Sequence, residues 1–451
     1  PILFYDPVER VVATLHPNHT WEKVVFDPWQ QATWDVNDTV LNADGSTDPK
    51  LDQDVQSFFA RLPDADYLPT WYEQRSALAA NDPEHVAADK AAIHRQTPTV
   101  AHLDTLGRPF LTLAQNRFER DAALVEEQYA TRVELDIEGN QRAVIDANDR
   151  IVMRYAYDML GNRIHQASME AGERWMLNDV AGQPIRAWDS RDHQFRSTYD
   201  QLRRPTESFL LTGAGPELLI GRTVYGEIQP NPEARNLRGR AVQNFDQAGI
   251  VTSDDYDFKG NPLSGQRQLA REYKTTLDWK TNPPLEVALY ASSTRYDALN
   301  RPTELTTPHT ATMQPSIIRP SYNEANLLEG IKANLRGAAA AMIFVNDIDY
   351  NAKGQRTLIE YGNRVSTSYE YEELTFRLSH MQTMRGNQAL QDLRYIYDPA
   401  GNITRISDDA QDRIFHSNQA MLPSSEYLYD AVYRLIAANG REHKGNDQQV
   451  G

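Results

Sequence analysis

The sequence predicts a mainly β protein, built of antiparallel hairpins in series with one small helical insertion. Three observations carry that expectation. A Tyr-Asp turn unit recurs along the chain, the segment before each turn alternates with period two, and a single stretch, residues 48–96, patterns as helix.

The turn unit is Tyr-Asp, two variable residues, then Gly or a substitute. Good copies are Y-D-M-L-G-N-R (Tyr157, Asp158, Gly161), Y-D-F-K-G-N-P (Tyr256, Asp257, Gly260) and Y-D-P-A-G-N (Tyr397, Asp398, Gly401). Variant copies begin at Tyr5, at Tyr199-Asp200, at Tyr296-Asp297 and at Tyr429-Asp430. Degenerate ones begin at Leu103, Asn178 and Tyr350. Asp158, Asp179 and Asp200 follow one another at 21-residue intervals, as do Asn351 and Glu372. Two strands of about 5–8 residues with two turns need roughly 20 residues. Asp suits the first position of a type I turn, where its carboxylate caps a backbone N–H, and Gly suits the left-handed position that follows. Asn300 tolerates that conformation. Arg203 and Tyr433 do so less readily, so their turns are expected to differ or to be strained. Pro109, Pro184, Pro205, Pro262 and Pro302 fall two residues after the Gly position and must start strands or lie on unpaired edges.

The preceding segments read as half-buried strands. Ile151, Met153, Tyr155 and Tyr157 share one face, as do Val365, Thr367, Tyr369 and Tyr371. The Tyr-x-Tyr element recurs at Tyr395/Tyr397 and Tyr427/Tyr429, and neighbouring hairpins would stack these rings into ladders worth about 0.2–1 kcal/mol per pair. Within 48–96, Asp48-Pro49 and Asp82-Pro83 are helix starts. Leu51, Val55, Phe58, Phe59 and Leu62 form an amphipathic face. A second helix is expected from Pro69 through Ala80 and a third from Pro83 to His94. The expected organisation is therefore strands over 1–47, a helical insertion over 48–96, and strands over 97–451.

Composition narrows the function classes. The chain has 451 residues, 40% of them hydrophobic, enough for a sizeable core, and 22 Tyr against 13 Phe. Tyr favours strands and can bury its ring while its hydroxyl finds a partner. A net charge of −17 disfavours unspecific binding to nucleic acid or anionic membrane. With no Cys, disulfides and thiolate zinc sites are excluded. The longest apolar run, Ala338 to Val345, is far short of a membrane span. No signal peptide is visible, and the chain opens on Pro1 in an apparent strand, as a segment of a longer protein would.

The repeat and four longer strings resemble the Rhs/YD-repeat superfamily, and among it the B component of bacterial toxin complexes, the TcB or SpvB-type insecticidal toxin family. The strings are Phe26 to Val40, Arg61 to Arg75, Asp347 to Arg356 and Tyr429 to His443, spread over nearly the whole chain. The turn alone is shared with teneurins and polymorphic toxins; the Trp-rich strings are more specific. The resemblance implies a curved, spiralling shell of hairpins that, with a C component, encloses a toxin polypeptide. It implies a pore-forming A component that docks through a region outside this segment, assembly in the bacterial cytoplasm, and a secreted complex. No cofactor, metal or enzymatic activity is expected. The family's D-P-x-G motif is linked to aspartyl self-cleavage. Asp398-Pro399-Ala400-Gly401 has that spelling but lacks the surrounding core string, and reads as a turn.

The Asp44–Asp48 loop lacks the Gly and Glu of a calcium loop, since Pro49 and Val55 stand there. His85, His94 and His102 lack zinc spacing and are expected at the surface or as caps. Trp21, Trp29, Trp34 and Trp71 are expected to pack rather than to stack on sugars. N-x-T at Asn18, Asn37 and Asn402 reads as chance. No nucleophile elbow, P-loop or dinucleotide fingerprint appears. Two alternatives remain. One is a teneurin-like adhesion or carbohydrate-binding module, motivated by the Tyr and Trp content. The other is a glycosidase, resting only on plentiful carboxylates. Cut from a shell, the segment would have unpaired edges and poor solubility.

Overall fold

A computed structural model describes residues 1–412, 414–416 and 419–441; the end of the string Tyr429 to His443 lies outside the described residues. The chain forms two compact units. One comprises Pro1–Val152 with Ser366–Gly451, the other Met153–Val365.

In the first unit, strands Ile2–Tyr5, Val11–Leu15, Trp21–Phe26 and Gln30–Trp34 form an antiparallel meander. Gln30–Trp34 pairs directly with Thr99–Leu103, so the helical residues between them loop out of an uninterrupted ladder. The meander continues through Pro109–Arg120, Ala123–Leu135 and Gln141–Ile145. A second ladder in this unit runs through Leu378–Arg385, Gln388–Tyr397, Ile403–Asp408, Ser424–Tyr429 and Leu435–Asn439.

The insertion differs in detail from its sequence pattern. Asp48 caps only a 3-10 turn, Pro49–Leu51, and the amphipathic stretch yields one short helix, α1 (Gln56–Phe59). The reason is tertiary. Asp52 and Asp54 turn back to bind the buried Lys23 ammonium, each at 2.7 Å, which holds the intervening backbone out of helix. Leu51 is consequently exposed, while Val55 and Phe59 are buried. Helix α2 (Trp71–Ser76) is shorter than expected and carries a reciprocal Thr70/Glu73 capping box. Helix α3 (Pro83–Ile93) starts on the Asp82 cap and ends at His94.

The second unit is one meander from Ile151–Tyr157, whose first residues lie in the first unit, to Arg356–Tyr361, each strand antiparallel to the next. The five prolines after turns all begin strands: Pro109, Pro184, Pro205, Pro262 and Pro302.

The described residues show small cores where a non-strand segment covers a patch of sheet. In the first unit Trp21, Phe59 and Tyr67 join Ala13, Leu15 and Val55, and Trp71 joins Val40, Leu41 and the alanines of α3. In the second, Phe209 and Leu219 are roofed by Leu277 and Trp279. Each buried aromatic contributes about 1.5–3 kcal/mol, so stability is distributed in patches. Trp29 departs from the expectation that the tryptophans pack: it is 59% exposed, because it sits in the turn before Gln30–Trp34.

Candidate functional site

In the second unit, every second connection falls on the same edge of the meander. The residues entering that edge are Tyr157, Asn178, Tyr199, Tyr225, Tyr256, Tyr296, Tyr322 and Tyr350. Seven of the eight are Tyr, and all but one lead into a turn headed by Asp or Asn. The opposite edge has connections of mixed length and chemistry.

One turn illustrates the design. Gly161 N donates to the Asp158 carbonyl at 3.1 Å, and Asp158 N to the Asn162 carbonyl at 2.9 Å. Asp158 Oδ1 accepts from Leu160 N and Asn162 N, both at 2.9 Å, and Oδ2 accepts from the Asn162 amide at 3.0 Å. The result is a type I turn followed by a left-handed residue, and the register slips there in the manner of a bulge. The same two Oδ1 bonds recur at Asp200, Asp257, Asp297 and Asp430. At Asp398 they come from Gly401 N and Asn402 N instead. The fifth residue closes the fork on Oδ2: Arg204, Asn261, Arg301, Asn402 or Arg434. These bonds favour the carboxylate. Asp158 is held below the ordinary Asp range first by the Asn162 side chain, and Asp297 by backbone N–H of Arg301, in each case against some burial.

The tyrosine has its own partner. Tyr199 donates its hydroxyl to the Pro184 carbonyl (2.7 Å), Tyr225 to Pro205 (3.0 Å), Tyr256 to Ala241 (2.7 Å), Tyr322 to Pro302 (3.0 Å) and Tyr350 to Leu328 (2.6 Å). In the first unit Tyr397 does the same to Leu378 (2.7 Å). Each acceptor is the first residue of the strand preceding the one that ends in that Tyr. The hydroxyl therefore clips the carbonyl that opens one strand to the ring that closes the next, which Phe cannot do. The expected Tyr ladders take another form. Tyr395 and Tyr397 contact each other along one strand, while the neighbour over Tyr225 and Tyr322 is the fifth-position arginine of the previous turn, Arg204 or Arg301. Turns also bind turns: Arg203 reaches Asp179, Asn261 reaches Asn300, and Arg301 reaches Asn326.

The turns of Arg203 and Tyr433 keep the common frame, and the strain expected of them lies in the backbone conformation of these two residues. Both adopt positive φ, 60° and 64°, within the same hydrogen-bond frame, as Asn300 does at 64°. Their side chains are engaged. Arg203 pairs with Asp179, and the Tyr433 hydroxyl donates to Asp35 at 2.5 Å.

Two turns of the first unit are buried, those of Asp398 (3% exposed) and Asp430 (0%). Asn37 reads the first. Its amide donates to Asp398 Oδ2 at 3.0 Å, its carbonyl oxygen accepts from Ala400 N at 3.1 Å, and its second N–H faces His94 Nδ1 at 3.4 Å. That fixes His94 as the tautomer protonated on Nε2, which donates to the Tyr429 carbonyl at 3.0 Å. Asn116 and the Arg117 carbonyl meet the second turn, at Asp430 Oδ2 (3.2 Å) and Ala431 N (3.1 Å). His94 is thus neither a surface residue nor a cap alone: it is buried at 4% exposure, and burial lowers its basicity. His85 Nδ1 donates to the Leu78 carbonyl at 2.9 Å, and the Asp44 carboxylate accepts from Ser46 N at 2.9 Å. Asn18 and Asn37 of the N-x-T triplets are buried. Among the described residues no cluster of His, Asp or Glu could hold a metal ion.

No family model matches the chain. Two toxin subunits of Yersinia entomophaga do resemble it. YenC2 is 31% identical over 388 residues, 78% of this chain, and YenC1 is 28% identical over 383 residues, 80% of it. The chain spans 39% of the length of each. Among solved structures, a TcdB2-TccC3 complex superposes with a TM-score of 0.80 and 26% identity over 99% of this chain, which covers 20% of that one. The Photorhabdus luminescens Tc holotoxin pore gives a TM-score of 0.80 and 25% identity over 98% of this chain and 19% of the other. The sequence relatives carry the C designation and the structures join B with C, so the likeness holds at the level of the B/C shell, one step coarser than the B component.

Proposed function

We propose that this chain, which is an Rhs/YD-repeat protein of the toxin-complex B/C shell type, forms part of a wall that encloses and protects a toxin polypeptide. The observation that carries this reading is the fold likeness to TcdB2-TccC3 over nearly the whole chain. The repeated turn supports it. A wall needs strands added indefinitely in one direction, and a turn that secures each hairpin locally permits this without a central core.

On this reading the role is mechanical, not enzymatic. The turn residues Tyr157, Asp158, Gly161, Tyr199, Asp200, Tyr256, Asp257, Gly260, Tyr296, Asp297, Tyr397, Asp398, Gly401, Tyr429 and Asp430 are staples of the wall. Residues 48–96 form an insertion carried on strands 1–47 and 97–451. The partners are the complementary shell component and its cargo, with the pore-forming component bound elsewhere. The complex is assembled in the bacterial cytoplasm and acts outside the cell.

The test uses the full-length subunit co-produced with its shell partner and cargo. Limited proteolysis should leave the cargo intact while the complex is closed, and digest it once the complex is denatured. Cargo cleaved in the native complex as fast as free cargo would refute enclosure.

A further inference from the structure

Loop 35–38, helix α3 and the two buried turns meet in a cluster of four carboxylates, Asp35, Asp38, Asp398 and Asp430, around neutral His94. Among the described residues two guanidiniums reach the cluster: that of Arg434 is engaged with Asp430, and that of Arg377 is held by the Asp398 and Pro399 carbonyls. Lys90, on α3, is taken by the Thr404 and Tyr427 carbonyls. Asp35 Oδ1 accepts from Asn37 N and Asp38 N, and its Oδ2 accepts from Tyr433.

Proton counting locates an extra hydrogen here. Thr97 Oγ1 lies 2.6 Å from Asp38 Oδ1 and 2.6 Å from the His94 carbonyl oxygen. A hydroxyl has one proton to donate and both neighbours are acceptors. Both contacts are satisfied only if Asp38 is protonated: its O–H donates to Thr97, and Thr97 donates to His94 O. The other Asp38 oxygen accepts from Asp35 N at 3.0 Å. His94 must meanwhile be neutral, because a proton on Nδ1 would face the Asn37 N–H.

We propose that Asp38, Thr97 and His94 form a proton-operated clasp: while Asp38 holds its proton the loop 35–38 grips the Asp398 and Asp430 turns through Asn37 and Tyr433, and loss of that proton releases them. Ionised, Asp38 sets a buried negative charge beside the half-buried Asp35, and Thr97 can no longer serve both acceptors. Burial first, and then Asp35, push the Asp38 carboxyl up to about 7, while backbone hydrogen bonds oppose the rise.

The signs follow. For Asp38 the folded value is raised, so its contribution is complete below the ordinary value of 3.8 and is lost as pH rises to about 7. For His94 the folded value is lowered, so its contribution is complete above 6.5 and is lost in acid. The two oppose each other in the wild type, and Asp38→Asn leaves only the second.

Hydrogen exchange of the intact chain reads the clasp at peptides covering 398–402 and 430–434, with 157–183 as reference. After correction for intrinsic rates, protection in the wild type relative to Asp38→Asn should fall roughly 30-fold from pH 5.5 to 8.5, levelling above about 7. A ratio independent of pH would overturn the proposal. Should Asp38→Asn not fold, Thr97→Ala serves. It removes the acceptor of the Asp38 proton, so the wild-type opening midpoint should move to lower pH; an unmoved or raised midpoint would equally overturn it.

Discussion

Asp430→Ala separates a turn that only closes a hairpin from one that also holds the first unit together. The Asp430 carboxylate is wholly buried and accepts from Val432 N, Arg434 N, Arg434 Nε and Nη2, and Asn116 Nδ2. Alanine leaves two backbone donors, an amide and a guanidinium without their acceptor. Removing one partner of a buried ion pair costs about 3–5 kcal/mol, because the remaining charge stays desolvated. Arg434 is 55% exposed and can turn to water, which places the expected loss at the lower end, about 3 kcal/mol. Asp158→Ala removes the same backbone caps, but its turn faces solvent, so water replaces them and the loss should be distinctly smaller. Native-state hydrogen exchange, read separately at peptides 427–436 and 155–164, gives the local opening free energy for each variant. Equal losses at both sites would refute the view that Asp430 is a keystone and reduce it to one more turn.

Three further outcomes are expected. Tyr199→Phe and Tyr397→Phe each remove one hydroxyl donor from a strand-opening carbonyl; each should cost about 0.5–1.5 kcal/mol, add independently, and lower the melting temperature without altering the far-ultraviolet spectrum. Arg203→Gly relieves a side chain held at positive φ and gives up only an exposed ion pair, so it should be neutral or stabilising by up to about 1 kcal/mol in urea titration, whereas Tyr433→Gly should destabilise because its hydroxyl holds Asp35. Lys23→Met should cost about 3–5 kcal/mol by stranding the buried Asp52, and the double variant Lys23→Met with Asp52→Leu should recover most of that loss in thermal melts.

Much of the fold was legible because its information is local. A turn needs Asp at its head and a left-handed residue three positions on, both written within five letters, and the period-two strands and Pro placements follow from the same local rules. The fifth-position partner was equally visible, in the Asn162, Arg204, Asn261, Arg301, Asn402 and Arg434 column, but its meaning depends on a side chain folding back onto the Asp. The tyrosine hydroxyl was half legible. The preference for Tyr over Phe announces a polar partner, yet the carbonyls of Pro184 or Leu328 lie 15 to 22 residues upstream and no pattern names them. The insertion failed for a long-range reason: Lys23 recruits Asp52 and Asp54 from a stretch whose own periodicity is helical. The buried cluster was illegible altogether, since Asn37 and Asp398 are 361 residues apart and neither residue type is distinctive.

The arrangement also bears on why Asp heads these turns when Asn at 323 and 351 makes the same backbone bonds. Asn offers a single acceptor oxygen, which the two backbone donors occupy. Asp offers a second, and that oxygen receives the fifth-position side chain, whose guanidinium in turn lies over the next tyrosine ring, as Arg301 does between Asp297 and Tyr322. Side chains thus link each turn to the next, tying successive hairpins of the ladder together. A sheet without a central core has little side-chain packing to hold neighbouring hairpins in place. Here one edge of the second unit is tied turn to turn by side chains on exposed, hydrated positions. Each tie is individually weak and screened by salt. Their value lies in number and in being independent of one another, so that loss of any one leaves the edge closed.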